Sequence, residues 1–202
     1  ETPRPRGRPR SQKVETAIID ATMAVIAQTG YHDMTLEMVA ARAGSSRPAI
    51  YRRWKSKQEL TVAAIARRFR DAIPSVADTG DARRDVAEML KGFTSLLRRD
   101  DMHRVILSVI PEIHLDDDLG QLFYKIEIGR RLFLAKAIMR GISRGDVPEG
   151  VNLDRMIDLV LGGIYFRVIF RDGIPPDDEI DGLVATVFGD EMRDAAGAAS
   201  RA

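Results

Sequence analysis

At 202 residues, with 45% hydrophobic and 30% charged side chains, the chain can bury the core of one domain or of two small ones. It has no cysteine, which excludes disulfides, thiolate metal sites and cysteine nucleophiles. The net charge is only +1, but residues 1–57 carry 11 basic side chains against 5 acidic ones, a balance of +6, and the remainder balances at −5. Such asymmetry suggests that one end meets a polyanion, the alternative being a solvated basic surface. No apolar run approaches the roughly 18 residues that a membrane span needs, and the basic start leads into no apolar signal core, so a cytoplasmic protein without a membrane partner is expected.

Apolar residues recur at helical spacing almost throughout, and no alternating strand pattern with hairpin punctuation appears, so the chain reads as all-α, without an internal repeat. After a basic arm at 1–11, the spacing predicts a helix over 13–28, with Val14, Ala17, Ile18, Ala21, Val25 and Ile26 on one face and Gly30 as its stop. A second helix begins after Thr35 as N-cap, turns Leu36, Val39, Ala40 and Ala43 inward, and ends at Gly44. Ser46 is expected to cap a third, short helix whose Pro48 falls in the first turn, where amides have no intrahelical acceptor to lose. Ser56-Lys57-Gln58-Glu59 is a capping box opening a fourth helix to about residue 70. Pro74 and the polar stretch 75–81 read as a linker, followed by helices near 82–99, 101–113, 117–144, 153–171 and 177–190. Three parts are expected: the arm at 1–11, a three-helix unit at 12–58, and a C-terminal helical bundle at 59–202.

Two short helices joined by Ala43-Gly44-Ser45-Ser46 fit a helix-turn-helix, whose second helix enters the major groove of DNA. The stretch from Ala17-Ile18-Ile19-Asp20-Ala21 through Gly30-Tyr31, Thr35-Leu36-Glu37-Met38-Val39-Ala40 and Ile50-Tyr51-Arg52-Arg53-Trp54 to Lys57-Gln58-Glu59-Leu60 resembles the tetracycline-repressor (TetR) family. Pro48 stands where that family often has Gly. The resemblance implies a DNA-binding homodimer that reads a pseudo-palindromic operator, and Thr35 joins the expected contact set. Arg47, opening the third helix, can reach a guanine edge or a phosphate. Ser45, Ser46 and Ala49 are near enough for hydrogen bonds or thymine-methyl contacts. Tyr51, Arg52 and Lys57 suit backbone phosphates, Lys57 beside a helix N-terminus that itself favours an anion. Tyr51 could instead be core, Trp54 reads as packing, and Arg53 faces either solvent or DNA. In the arm, Pro5-Arg6-Gly7-Arg8-Pro9 resembles an AT-hook, which would lay Arg6 and Arg8 along a narrow minor groove; the alternative is a basic tail with nonspecific attraction.

The family resemblance implies that the second half dimerises and can hold a small-molecule effector. A pocket needs apolar walls and a few polar anchors. Met89, Phe93, Met102, Ile106, Phe123, Phe133 and Tyr165 are candidate walls, with His103, Glu127 and Arg130 as anchors, ordinary core and surface ion pairs being the alternative. The last two helices are expected to form the dimer interface through Gly162, Gly163, Phe166, Leu183, Val184 and Val187, the glycine pair allowing close packing. His114 with Asp116, Asp117 and Asp118 reads as a helix start rather than a metal site, and no cofactor is expected. Three functions follow: a repressor released from DNA by a partly apolar small molecule, a DNA-binding dimer without such an effector or under a protein partner's control, and a helical enzyme. The last needs a reactive constellation, which three scattered histidines and the lack of a Gly-rich phosphate loop do not offer.

Overall fold

A computed structural model describes residues 8–72, 78–99, 102–171 and 173–199, with side chains from 12 to 189. Nine α-helices follow one another among these residues: α1 (Arg8–Asp33), α2 (Leu36–Arg42), α3 (Arg47–Tyr51), α4 (Lys57–Ala72), α5 (Ala82–Leu97), α6 (Met102–Val109), α7 (Asp117–Arg144), α8 (Leu153–Phe170) and α9 (Asp177–Ala199). A 3-10 turn, Pro111–His114, lies between α6 and α7, and no strand occurs among the described residues. No helix among them is long and apolar enough to cross a membrane. The all-α architecture matches the sequence reading.

The helices form two compact units. The first takes residues up to Arg68 together with Arg99–Ile126. Its core is built from Ile18, Ile26, Met34, Ile50, Leu60, Ile65, Met102, Ile106 and Leu119, all fully buried, with α6 laid along α1. The caps fix the reading end. The Thr35 hydroxyl accepts from the Met38 amide at 3.2 Å, and α2 closes with Gly44 at φ +57° while the Ser45 amide donates back to the Ala40 carbonyl at 2.9 Å. Gly30, at φ +80°, leaves helical geometry as expected, while α1 starts at Arg8 rather than near residue 13. Ser46 precedes α3 but caps it only through its backbone: the carbonyl accepts from Ala49 and Ile50, and the side chain makes no capping bond. The capping box at α4 forms with a shifted return bond: the Glu59 amide donates to Ser56 Oγ at 3.1 Å, and the Glu59 carboxylate accepts from the amide of Lys55, one residue ahead of the cap, at 2.7 Å.

The second unit takes Phe69–Arg98 and the residues from Glu127 onward. Asp81 caps α5 and Asn152 caps α8 through their side chains. Asp85 is fully buried yet satisfied, accepting from the Thr79 amide and hydroxyl, both at 2.8 Å, and from Arg140 at 3.4 Å. α9 packs against α5 and α8, with Ile180, Val184, Val187 and Phe188 turned inward. Gly163 is where α8 and α9 approach within one protomer, since a Cβ there would sit 3.0 Å from Leu183.

Candidate nucleic-acid interface

α2, the turn after it and α3 present one exposed face. Leu36, Val39, Ala49 and Ile50 point into the core of the first unit, leaving Thr35, Glu37, Arg42, Ser46, Arg47, Pro48, Tyr51, Arg52 and Lys55 outside, with Ser45 half-buried. This placement corrects one expectation. Ala49 lies on the buried side of α3 with Ile50, so its methyl group does not reach a base edge. Tyr51 is 46% exposed, which takes it out of the core. Trp54 is buried and Arg53 is half-buried, donating to the Ala49 carbonyl at 2.9 Å, so both brace the short helix from its C-terminal side. Arg6 lies outside the described residues, and Arg8 falls within α1 with its side chain outside them.

Arg47 occupies the first position of α3 and is half-exposed. Its guanidinium meets the Glu37 carboxylate of α2 at 2.6 Å and lies 5.8 Å from the centre of the Tyr51 ring. Hydrogen bonding to Tyr51 and then the charge of Glu37 raise the pKa of Arg47 still further. Between residues 34 and 58 the sequence holds six basic side chains and one acid, Glu37. Its pairing with Arg47 was not anticipated from the sequence.

Lys57, the expected phosphate contact at the start of α4, is held within the first unit. Its ammonium donates to the His32 carbonyl at 2.9 Å and lies 4.4 Å from the centre of the Tyr31 ring, tying the start of α4 to the end of α1. Partial burial lowers its pKa, against the opposing pull of Glu112, Asp33 and Asp116. Beside it, burial first and the charges of Asp116 and Glu112 second push the Tyr31 phenol up to about 12. Gln58 donates to Asp116 at 2.6 Å, and Asp116 also caps α7 by accepting from the Leu119 amide at 3.0 Å. The Leu119 amide and Gln58 together hold the Asp116 carboxyl below its usual range. The acidic run ahead of α7 thus serves the helix start, as its sequence suggested.

The candidate effector residues divide between the units. Met102, His103, Ile106 and Phe123 belong to the first; Met89, Phe93, Glu127, Arg130, Phe133 and Tyr165 to the second. Arg130 gathers several of the latter. Its guanidinium lies 5.0 Å from the centre of the Phe93 ring, 5.2 Å from that of Tyr165 and 5.6 Å from that of Phe69, a residue absent from the sequence reading. It also bonds the Tyr165 hydroxyl and the Glu127 carboxylate, while its buried Nε has no partner among the described residues. Burial raises the Tyr165 pKa, with Arg130 opposing.

The expected dimer face is also redistributed. Val184 and Val187 are only 0% and 5% exposed in the isolated chain, because α9 spends its apolar stripe on α5 and α8 of its own protomer. Gly163 is likewise covered by Leu183. The outward side of α8 remains bare: Leu159, Gly162, Phe166 and Phe170 fall on one face at helical spacing, and Phe170 is 73% exposed.

Comparison with known proteins agrees with this arrangement. Residues 18–64 match the family model described as bacterial regulatory proteins, tetR family, and residues 76–187 match the tetracyclin repressor-like C-terminal domain. The HTH-type transcriptional regulator AqdR of Rhodococcus erythropolis is 30% identical over 169 residues, covering 79% of this chain and 75% of that protein. The HTH-type regulator YdeS of Bacillus subtilis is 27% identical, over 91% of this chain and 92% of that protein. Among solved structures, the transcriptional regulator FadR from Bacillus subtilis, in complex with stearoyl-CoA, superposes with a TM-score of 0.66 over 88% of this chain and 97% of that one; at 21% identity it shows a shared fold. The chain belongs to the TetR family and is a helix-turn-helix transcriptional regulator.

Proposed function

We propose that the chain is a homodimeric repressor that holds a pseudo-palindromic operator through the α2–α3 face and leaves it when a partly apolar small molecule enters the C-terminal bundle. The observation that carries the DNA half is the cationic outer face of α2 and α3, where Arg47, Tyr51, Arg52, Ser46 and Thr35 stand exposed on a buried scaffold. Arg47 reads a base edge, Tyr51 and Arg52 hold phosphates, and the arm ahead of α1, with Arg6, adds minor-groove contacts, Arg8 being taken up by the helix. One short helix reads only a few base pairs, so a second copy is needed for useful specificity. The partner copy sits on the bare side of α8, at Leu159, Gly162, Phe166 and Phe170.

The effector half rests on the Arg130 cluster, where a mostly buried cation among three aromatic rings supplies both apolar wall and polar anchor. The FadR structure with stearoyl-CoA supports the idea that this fold accommodates a partly apolar effector. The test begins with an operator selected by the wild-type protein from a random duplex library. Release of that duplex by a member of a metabolite panel, with the response lost in Arg130→Met, is the expected result. A chain that holds the duplex unchanged against every compound, acyl-CoA esters included, is not effector-controlled through this bundle.

A further inference from the structure

We propose that Glu37 is a specificity-determining positioning residue: its carboxylate parks the Arg47 guanidinium away from DNA phosphates, so that Arg47 is released only to a matching base edge. The inference rests on the DNA-binding reading of the α2–α3 face and adds to it a device that suppresses nonspecific binding. The Glu37–Arg47 pair measures 2.6 Å, and both side chains are about half exposed, so the pair is accessible to a duplex on the face that meets it. Both residues stand in the first turns of their helices, Glu37 in α2 and Arg47 in α3. A carboxylate so placed is favoured by the partial positive charge at the start of α2 and has the charge of a DNA phosphate oxygen. Arg47 in the free protein therefore already holds an internal anion.

Any duplex offers phosphates, so an unpaired Arg47 would strengthen binding to every sequence and dilute discrimination. To engage a phosphate, Arg47 must exchange one anionic partner for another of the same charge, with little net gain. A guanine edge offers two acceptors in a fixed plane that a guanidinium matches bidentately, which a single carboxylate oxygen does not reproduce. The exchange is thus favourable at the correct base and nearly neutral elsewhere. Glu37 is the one acid among six basic residues between positions 34 and 58, a placement that costs nonspecific affinity and makes sense where discrimination matters more.

The experiment compares the wild-type protein, Glu37→Gln, Arg47→Ala and the double variant. Each is titrated onto the library-selected operator and onto random duplex across a salt series, with circular dichroism verifying the fold. Glu37→Gln is expected to tighten random-duplex binding roughly tenfold at 0.1 M salt and to steepen its log–log salt slope by about 1.8, one further phosphate contact from each protomer. Operator binding changes less, so the specificity ratio falls. In the Arg47→Ala background the same substitution leaves the salt slope unchanged. Equal tightening in both backgrounds would reduce Glu37 to simple repulsion of DNA and overturn the assignment. Weakened operator binding with random duplex unaffected would make Glu37 a direct base reader and overturn it equally. A wild-type chain that retains no duplex at all would sink the DNA-binding reading, and this assignment with it.

Discussion

Replacing Phe166 by Asp separates two accounts of how the protomers meet. Phe166 is 57% exposed on the bare side of α8, whereas Val187 is 5% exposed and packed inside the protomer. A phenylalanine offers about 200 Å² in all, so burying the exposed share on a partner removes on the order of 100 Å² per copy. At about 25 cal/mol per Å² that is ~2.5 kcal/mol per copy and ~5 kcal/mol per dimer, or between three and four orders of magnitude in the dimer dissociation constant. The introduced carboxylate adds a desolvation cost in the same direction. Sedimentation velocity across a concentration series should therefore show Phe166→Asp as a monomer where the wild-type chain is a dimer, with helix content and thermal unfolding little changed. Val187→Asp should instead lower the unfolding temperature, because it buries a charge in the contact of α9 with α5 and α8. A Phe166→Asp protein that dimerises within tenfold of wild type would refute this placement. So would a Val187→Asp protein that stays fully folded as a monomer.

Further substitutions test the joints of each unit. Lys57→Met should destabilise the first unit by about 1 kcal/mol through loss of the hydrogen bond to the His32 carbonyl. The salt slope of DNA binding should stay unchanged, whereas a shallower slope would return Lys57 to the phosphate contacts. Tyr31, whose phenol is raised to about 12, favours its neutral form in the folded state, so its contribution to stability is present below pH 10 and is lost as pH rises from 10 to about 12. Urea unfolding over that window should show a steeper fall for wild type than for Tyr31→Phe, and parallel curves would count against the burial argument. Gly141→Ala puts a Cβ 2.5 Å from that of Ala82 and 2.8 Å from Val147, so thermal unfolding should report a loss of about 1–3 kcal/mol. Deleting residues 1–7, ahead of α1, should weaken operator binding at fixed salt while leaving the unfolding transition in place; unchanged affinity would make the arm idle.

The features legible in the sequence were those set by a few neighbouring residues. Thr35 and Gly44 bounded α2, and Ser56 with Glu59 opened α4, because caps act within one turn. Leu183, Val184 and Val187 were recognisable as apolar positions of the last helix, but the pattern is the same whether they meet their own protomer or a partner. That is why Val184 and Val187 read as interface and proved to be interior. Ala49 illustrates the same limit on a shorter scale, since in a five-residue helix a one-position rotation decides between groove and core. The packing of α6 along α1 and the ring cluster that Phe69 completes around Arg130 arise from distant segments, and periodicity carries no record of such meetings. Glu37 and Arg47 were both visible as charges, but ten residues apart they gave no sign of being a pair until the turn brought the two helix starts together.

The central claim, that the α2–α3 face reads operator DNA through Arg47, is tested most directly by selection from a random duplex library followed by titration of wild type and Arg47→Ala on the selected site and on random DNA. Wild type should recover a pseudo-palindrome with two inverted half-sites, and Arg47→Ala should lose a large part of the preference for that site over random duplex. A library that yields no symmetric site, or an Arg47→Ala protein that keeps the wild-type preference, would contradict it.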